Sequence, residues 1–151
     1  METKFIVAIS VIFGLIFLFV LLKLLFSSTR KKLENQILKK FDKNEILGAT
    51  TDANFFGEQS KGAKQLRGNG ALILTKDQLY FARAVPFKEY TIPLKSVSKV
   101  SLPNSFNGRS ILSTLLCIQY ETGSESDAIA WAVKNPEAWK KAIEKLRTDA
   151  R

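Results

Sequence analysis

The most pronounced hydrophobic pattern in the chain is an apolar run close to the N-terminus. Residues Phe5–Leu22 carry no charge, and three further apolar residues follow a single lysine, Lys23. At a rise of about 1.5 Å per residue, a helix over Phe5–Phe26 is roughly 33 Å long, which is enough for a bilayer core of about 30 Å. A cleaved signal peptide has a shorter apolar region and a small-residue cleavage site, and a buried core helix needs more protein around it. The pattern therefore predicts a transmembrane anchor in residues 1–26.

A second helical pattern follows in residues 27–44. Its apolar residues recur at helical spacing and form a narrow stripe: Leu33, Ile37, Leu38 and Phe41. The basic residues around the stripe are candidates for contact with the membrane surface: Arg30, Lys31, Lys32, Lys39 and Lys40. Two interpretations are open. The helix lies on an anionic membrane surface, or it packs its stripe on the following domain and its cations only set the topology.

The distribution of basic residues predicts the orientation of the anchor. Only Lys4 precedes the apolar run, whereas Lys23 and the cations of residues 27–44 follow it. Lysine and arginine near a span are retained on the cytoplasmic side. We therefore expect a single-pass protein of the cell membrane, with its N-terminus outside and its C-terminal domain in the cytoplasm.

From Glu45 onward the pattern changes to short alternating runs, which are typical of β-strands. These runs predict seven strands: Ile46–Phe56, Gly70–Thr75, Gln78–Ala84, Glu89–Pro93, Lys95–Leu102, Leu115–Glu121 and Asp127–Val133. Lys76 and Asp77 form a two-residue hairpin connection. An irregularity is expected between Val97 and Val100, because both are predicted to point inward although they are three residues apart.

A helix is predicted to close the chain. Asn135 is suited to the N-cap and Pro136 to the first helical position, and Trp139, Ile143 and Leu146 fall on one apolar face. Because that face must be buried, we predict that the helix plugs an open end of the sheet. The predicted fold class is α+β and mainly β: a bent antiparallel barrel of about seven strands, capped by a C-terminal helix and preceded by one transmembrane helix.

The segments Gly70–Phe81, Tyr90–Leu94 and Val97–Val100 resemble the GRAM and bacterial PH-like domain group. In that group a G-x-L-x-L-T-x-x-x-L-x-F hairpin precedes an I-P-L-x-x-I-x-x-V segment, and a terminal helix caps the sheet. The resemblance covers about residues 45–148 of a predicted domain at 45–151. It implies a PH-like fold that binds phosphoinositides, other lipids or protein segments, and it does not imply catalysis.

Composition narrows the chemistry further. The chain has 0 His and 1 Cys, which excludes a Ser-His-Asp triad, an internal disulfide and a cysteine-based zinc site. We predict that the protein is not an enzyme and that it has no metal and no cofactor. The net charge is +9, but more than half of the excess lies before Glu45. The domain lacks the aromatic-rich basic strands that bind nucleic acid, so nucleic acid is not an expected partner.

The polar loop Gly57–Gly68 carries three cations at a spacing of three residues: Lys61, Lys64 and Arg67. In lipid-binding members of the resembled group, cations around the first hairpin loop contact headgroup phosphates, so the resemblance implies a lipid site here. A solvated loop without a ligand is the alternative. The loop Pro103–Ser113, with Phe106 and Arg109, is a further surface that could touch lipid or a partner.

These features predict a membrane-anchored binding module whose partners are membrane lipids, anionic ones in particular, or another membrane protein. The alternative is a structural or assembly subunit without lipid specificity. Such a subunit would dock onto another membrane protein through a sheet edge or through the loop Pro103–Ser113. The tether raises the concentration of the domain at the bilayer, so the domain's own affinity for lipid need not be high.

Overall fold

The computed structural model describes the backbone of residues 2–149 and the side chains of residues 11–24, 27–28, 31–37 and 39–148. The chain divides into two compact units, Met1–Lys32 and Leu33–Arg151. The predicted domain boundaries after residues 26 and 44 stay predictions.

The first unit is helical. Helix α1 has the bounds Glu2–Lys40, and its residues after Lys32 belong to the second unit. Its large apolar side chains between residues 11 and 24 are exposed, from 44% at Leu21 to 71% at Phe17. Within the part of the chain whose side chains are described, no helix combines the length and hydropathy that a membrane crossing requires. The predicted span Phe5–Phe26 extends at both ends into side chains that lie outside that part.

The second unit is built on β-strands. In chain order they are β1 (Gly48–Glu58), β2 (Gly68–Leu74), β3 (Gln78–Arg83), β4 (Lys88–Pro93), β5 (Val97–Ser101), β6 (Ser105–Phe106), β7 (Arg109–Ser110), β8 (Leu116–Thr122) and β9 (Glu125–Ala132). Seven of them form one antiparallel sheet in the order β4-β3-β2-β1-β9-β8-β5, and β6 and β7 form a separate small hairpin. The seven predicted strands are confirmed. The β6–β7 hairpin lies inside the segment Pro103–Ser113, which the sequence pattern assigned to a loop.

Three irregularities in strand pairing interrupt the sheet. They lie between Thr50 and Ala53 and between Phe55 and Gly57 in β1, and between Val97 and Lys99 in β5. A bulge bends the strand and increases its local twist, so these positions let the sheet curve around its own core. The predicted irregularity before Val100 is confirmed.

The inner face of the curved sheet holds the main core. Trp131 and Phe55 are at most 1% exposed, and the ring centroid of Phe81 lies 5.6 Å from that of Trp131 and 5.8 Å from that of Phe55. Aliphatic residues from every strand of the sheet complete this core. The period-2 alternation of the strands therefore buries one face as the sequence predicts.

Helix α2 (Pro136–Asp149) covers one end of the sheet. The Oδ1 atom of Asn135 accepts a hydrogen bond from the Ala138 backbone N–H at 3.3 Å, which confirms the predicted N-cap. Ile143 is fully buried in the main core, and Trp139 and Leu146 pack against it. The β1–β2 and β3–β4 loops lie at the opposite end, because β1 starts and β4 ends on the side of α2.

The outer face of β2 and β3 is covered by the last turns of α1. Leu33, Ile37 and Phe41 are at most 7% exposed and form a cluster with sheet residues that include Ile73 and Tyr80. The second interpretation of the stripe, in which it packs on the domain, is the arrangement observed. The side chain of Leu38 lies outside the described residues.

Candidate functional site

Two loops at the end opposite α2 are tied together by one buried cation. Arg83, at the end of β3, is 7% exposed. Its Nη1 donates to the carbonyl oxygen of Leu66 in the β1–β2 loop at 2.7 Å, and its Nε donates to that of Pro86 in the β3–β4 loop at 3.0 Å. A guanidinium that bridges two carbonyls fixes the distance between the loops. Arg83 thus sets the geometry of this end of the sheet.

The β1–β2 loop is further ordered by two amide side chains. Gln65 accepts from the Glu58 backbone N–H at 2.9 Å and donates to the carbonyl oxygens of Glu58 and Gly62, both at 2.6 Å. Asn107, at the tip of the β6–β7 hairpin, donates to the same two carbonyls at 2.8 and 3.2 Å. The loop that carries the predicted cations is therefore held by its own and its neighbour's side chains.

The three predicted cations have different surroundings. The Lys61 ammonium forms an ion pair with Glu58, a carboxylate that is only 8% exposed. Lys64 is exposed. The guanidinium carbon of Arg67 lies 3.6 Å from the ring centroid of Phe56, and partial burial, followed by the charge of Arg109, lowers the pKa of Arg67. The charge of Lys61 is therefore largely compensated, whereas Lys64 and Arg67 have no ion-pair partner among the described residues.

Three further cations at this end were not assigned to the site from the sequence. Arg83 and Lys88 flank the β3–β4 loop, and Lys88 lies over the ring of Tyr90 at 4.6 Å. Arg109 comes close to Arg67 because its hairpin docks on the β1–β2 loop. Arg83 left a signal in the sequence, because it continues the inward alternation of Leu79 and Phe81, where a charge is unexpected. The sequence singled out Arg109 only as part of the separate loop Pro103–Ser113.

The predicted membrane-surface cations lie on α1. Lys31, Lys32 and Lys39 are exposed, and the side chain of Arg30 lies outside the described residues. Lys40 instead forms an ion pair with Glu89 of β4 at 2.7 Å.

Lys40 also lies 4.5 Å from the ring centroid of Tyr80. Glu89 accepts one hydrogen bond from the ammonium of Lys40 and another from the hydroxyl of Tyr80, and both lower the pKa of Glu89. Lys40 is therefore bound to the sheet, at the point where α1 ends.

Cys117 and an open groove beside α1 lie apart from the cations of these loops. Cys117 is buried in a small outer cluster with Phe56 and Leu115, and this burial raises the pKa of its thiol. No group of side chains that could hold a metal occurs in the described part of the chain. An open groove lies beside the end of α1, lined by residues that include Ile37, Ile46 and Ile73. It holds none of the cations of the β1–β2 loop.

Ionisation of the three tyrosines tests how tightly the domain packs around them. Burial is the main cause that raises the pKa of Tyr80, Tyr90 and Tyr120, in the last case to about 12. A raised phenol pKa stabilises the folded state below the usual value of about 10, and this stabilisation is lost as the pH rises above it. Above pH 10 we expect less phenolate absorbance from the folded protein than from the unfolded chain, and a cooperative increase in absorbance when the protein unfolds. A tyrosine that ionises near pH 10 in the folded protein would contradict this packing.

Comparison with known proteins gives the fold. No protein-family model matches the chain, and no curated protein sequence matches it. Among solved structures it is similar to the Vps36 N-terminal PH domain, with a TM-score of 0.51 and 14% identity over 70% of this chain and 80% of that domain. A second similar structure is the C-terminal domain of an unknown protein from Leishmania infantum, with a TM-score of 0.49 and 11% identity over 68% of this chain and 84% of that one.

The domain has a PH-like fold, as its seven-stranded antiparallel sheet, its C-terminal helix and the likeness to the Vps36 domain show. The predicted resemblance is thus confirmed at the level of the fold. Assignment to the GRAM group within it stays a prediction.

Proposed function

We propose that this chain is a single-pass membrane protein whose cytoplasmic PH-like module binds anionic lipid. The observation that carries the proposal is that Lys64, Arg67 and Arg109 lie on two segments, the β1–β2 loop and the β6–β7 hairpin, which the hydrogen bonds of Asn107 dock together. None of the three has an ion-pair partner among the described residues, and burial followed by the charge of Arg109 lowers the pKa of Arg67. Cations held together in this way are stabilised by an anion that contacts several of them at once.

The membrane part of the proposal rests on the apolar run and on the charges that follow it. The large apolar side chains of residues 11–24 are exposed, from 44% at Leu21 to 71% at Phe17. A bilayer offers them an apolar environment, and the cations after the run favour a cytoplasmic domain. A reporter fused to the C-terminus tests the orientation. Activity of the reporter on the outer side only would overturn it.

Lipid binding is tested with the full chain held in a neutral nanodisc, so that its apolar helix is already covered. Labelled nanodiscs are mixed with vesicles of phosphatidylcholine, with or without phosphatidylserine, and bound protein is recovered by flotation. We expect binding only to the anionic vesicles. The combined variant Lys64→Gln, Arg67→Gln and Arg109→Gln should weaken it on the order of 100-fold, since each cation near an anionic surface contributes about 1 kcal/mol.

The control removes three exposed cations elsewhere in the domain: Lys76→Gln, Lys95→Gln and Lys99→Gln. It loses the same charge and should retain most of the binding, so the pair of variants separates a site from a general charge effect. Lys61 is kept in both variants, because its removal leaves the buried carboxylate of Glu58 unpaired. Equal binding to neutral and anionic vesicles would overturn the lipid proposal and favour an assembly subunit.

A further inference from the structure

A groove, here called the outer groove, lies between the last turns of α1 and the start of β1. It encloses about 360 Å³, the size of the smaller ligand pockets of proteins. It belongs to the second unit, at the start of β1 and away from the loops that carry the cations of the proposed lipid site. The residues that line it include Glu34, Ile37, Ile46, Ala49, Thr51 and Ile73.

The wall that α1 gives to the outer groove is held firmly on the sheet. Ile37 is 5% exposed. One turn later, the ring centroid of Phe41 lies 5.1 Å from that of Tyr80, and Lys40 is paired with Glu89. Little ordering is needed when a partner enters a groove whose wall is already packed.

The first half of β1 has a neighbouring strand on one side only. β2 pairs with Gly48, Ala49 and Thr50, whereas β9 pairs with β1 only from Asn54 onward. On the side away from β2, the backbone of residues 48–51 is therefore open to an extended segment that adds as a further strand. Every second side chain of such a strand is directed to the outer face of the sheet, where the outer groove lies.

The charge at the outer groove is opposite to the net charge of the chain. Of the residues that line it, Glu34 alone is charged, and Glu45 directly precedes the lining residue Ile46. Neither carboxylate has an ion-pair partner among the described residues, although the chain carries a net charge of +9. An apolar groove with unpaired carboxylates beside it matches a segment in which apolar and basic side chains alternate.

The position of the outer groove in the chain indicates where such a segment comes from. Glu34 follows Phe26, the last residue of the apolar run, by eight residues, which is at most about 29 Å of extended chain. In an anchored protein the outer groove therefore stays near the surface of the bilayer. Segments that adjoin a transmembrane span on its cytoplasmic side are rich in lysine and arginine, and they are confined to the same layer.

We infer that the outer groove binds the basic cytoplasmic segment that adjoins a transmembrane span of a partner protein. The segment adds to the open edge of β1, with its apolar side chains against Ile37 and Ile73 and a cation against Glu34. The corresponding segment of a second copy does not serve, because it is helical and its stripe is packed on its own sheet. This inference depends on the proposed membrane anchor and its orientation, but not on lipid binding.

Binding is tested by fluorescence anisotropy, with the full chain in a neutral nanodisc and a labelled extended peptide in which isoleucine alternates with lysine. We expect saturable binding. Glu34→Gln should weaken it about 3-fold, as the loss of an exposed ion pair does. Ala49→Gln, which fills the outer groove, and N-methylation of the peptide backbone should each weaken it on the order of 10-fold. The matched controls Glu125→Gln and Ala63→Gln replace exposed residues elsewhere and should bind like the parent chain.

The place of contact is tested by carbodiimide coupling of the peptide lysines to carboxylates of the chain, mapped by mass spectrometry. Coupling is expected at Glu34 and Glu45 and not at Asp77 or Glu125. Absence of peptide binding, or binding that Ala49→Gln leaves unchanged, would overturn the inference. Pairing of two chains in one disc that Ala49→Gln abolishes, without peptide binding, would assign the outer groove to a second copy instead.

The lipid proposal is judged separately in the same variants. Glu34→Gln and Ala49→Gln should still float with anionic vesicles, since neither residue lies on the β1–β2 loop or the β6–β7 hairpin. In both variants the buried thiol of Cys117 should stay unreactive, which shows that the domain is folded. Peptide binding without vesicle binding would overturn only the lipid proposal, and vesicle binding without peptide binding would overturn only the role of the outer groove.

Discussion

Replacing Trp131 with alanine should lower the free energy of unfolding of the domain by about 3–5 kcal/mol, the usual cost of deleting a large aromatic side chain from a core. Trp131 is fully buried, and its ring lies 5.6 Å from that of Phe81. It belongs to β9, the strand that joins β1 to β8. The cavity left by the indole would therefore open at the centre of the sheet, where the surrounding side chains cannot collapse into it.

The thiol of Cys117, the one cysteine of the chain, can be used to measure this loss of stability. Cys117 is 7% exposed, so a maleimide can react with it only when the sheet unfolds. Labelling of the full-length chain at increasing denaturant concentration therefore follows unfolding of the sheet. Trp131→Phe is the control. It keeps most of the apolar volume and removes an indole N–H that is buried without a hydrogen-bond partner among the described residues, so its cost should be well below that of alanine. Equal labelling curves for the alanine variant and the parent would contradict the placement of Trp131.

The second large effect is expected from a single methyl group at Gly70. A Cβ atom there would lie 2.2 Å from the backbone carbonyl oxygen of Ala82 and 2.7 Å from the ring of Phe81. The first of these atoms belongs to the paired strand β3 and cannot move without breaking the ladder. Gly70→Ala should therefore destabilise the domain by about 3 kcal/mol or more, beyond the usual cost of overpacking.

A glycine in the adjacent strand β1 gives a matched control for this substitution. At Gly48 in β1, a Cβ atom would meet Leu74 and Trp139 at 3.6 Å, which is an ordinary contact. Gly48→Ala should leave the denaturant midpoint of Cys117 labelling nearly unchanged, whereas Gly70→Ala should shift it strongly or prevent folding. Similar midpoints for the two variants would show that β2 and β3 approach each other less closely than described.

The sheet could be predicted because each of its strands is encoded by a pattern of neighbouring residues in the sequence. Alternation along β8 and β9 identifies the inner face, and Asn135 before a proline marks the start of α2. The small hairpin β6–β7 was missed because two strands of two residues each contain no measurable alternation. Its position depends instead on long-range contacts, such as the hydrogen bonds of Asn107 to the β1–β2 loop.

The candidate site was only partly predictable for the same reason. The spacing of Lys61, Lys64 and Arg67 places them on one loop, but it does not reveal that a buried carboxylate compensates Lys61. Arg109 is 42 residues from Arg67 in the sequence and comes near it only when its hairpin docks. A local pattern cannot report which charges are compensated, because each partner is supplied by tertiary structure.

The way α2 lies against β5 has a consequence for association between copies of this chain. β5 ends the sheet, and a terminal strand exposes backbone groups on which another chain can add a strand of its own. Lys140 Nζ donates to the carbonyl oxygen of Val100 at 3.2 Å, and Arg147 Nη1 donates to that of Ser98 at 2.6 Å. Strand addition at β5 must therefore displace two cationic side chains from these carbonyls. Where many copies are concentrated in a small area, this protection disfavours fibre-like stacking of their sheets through β5.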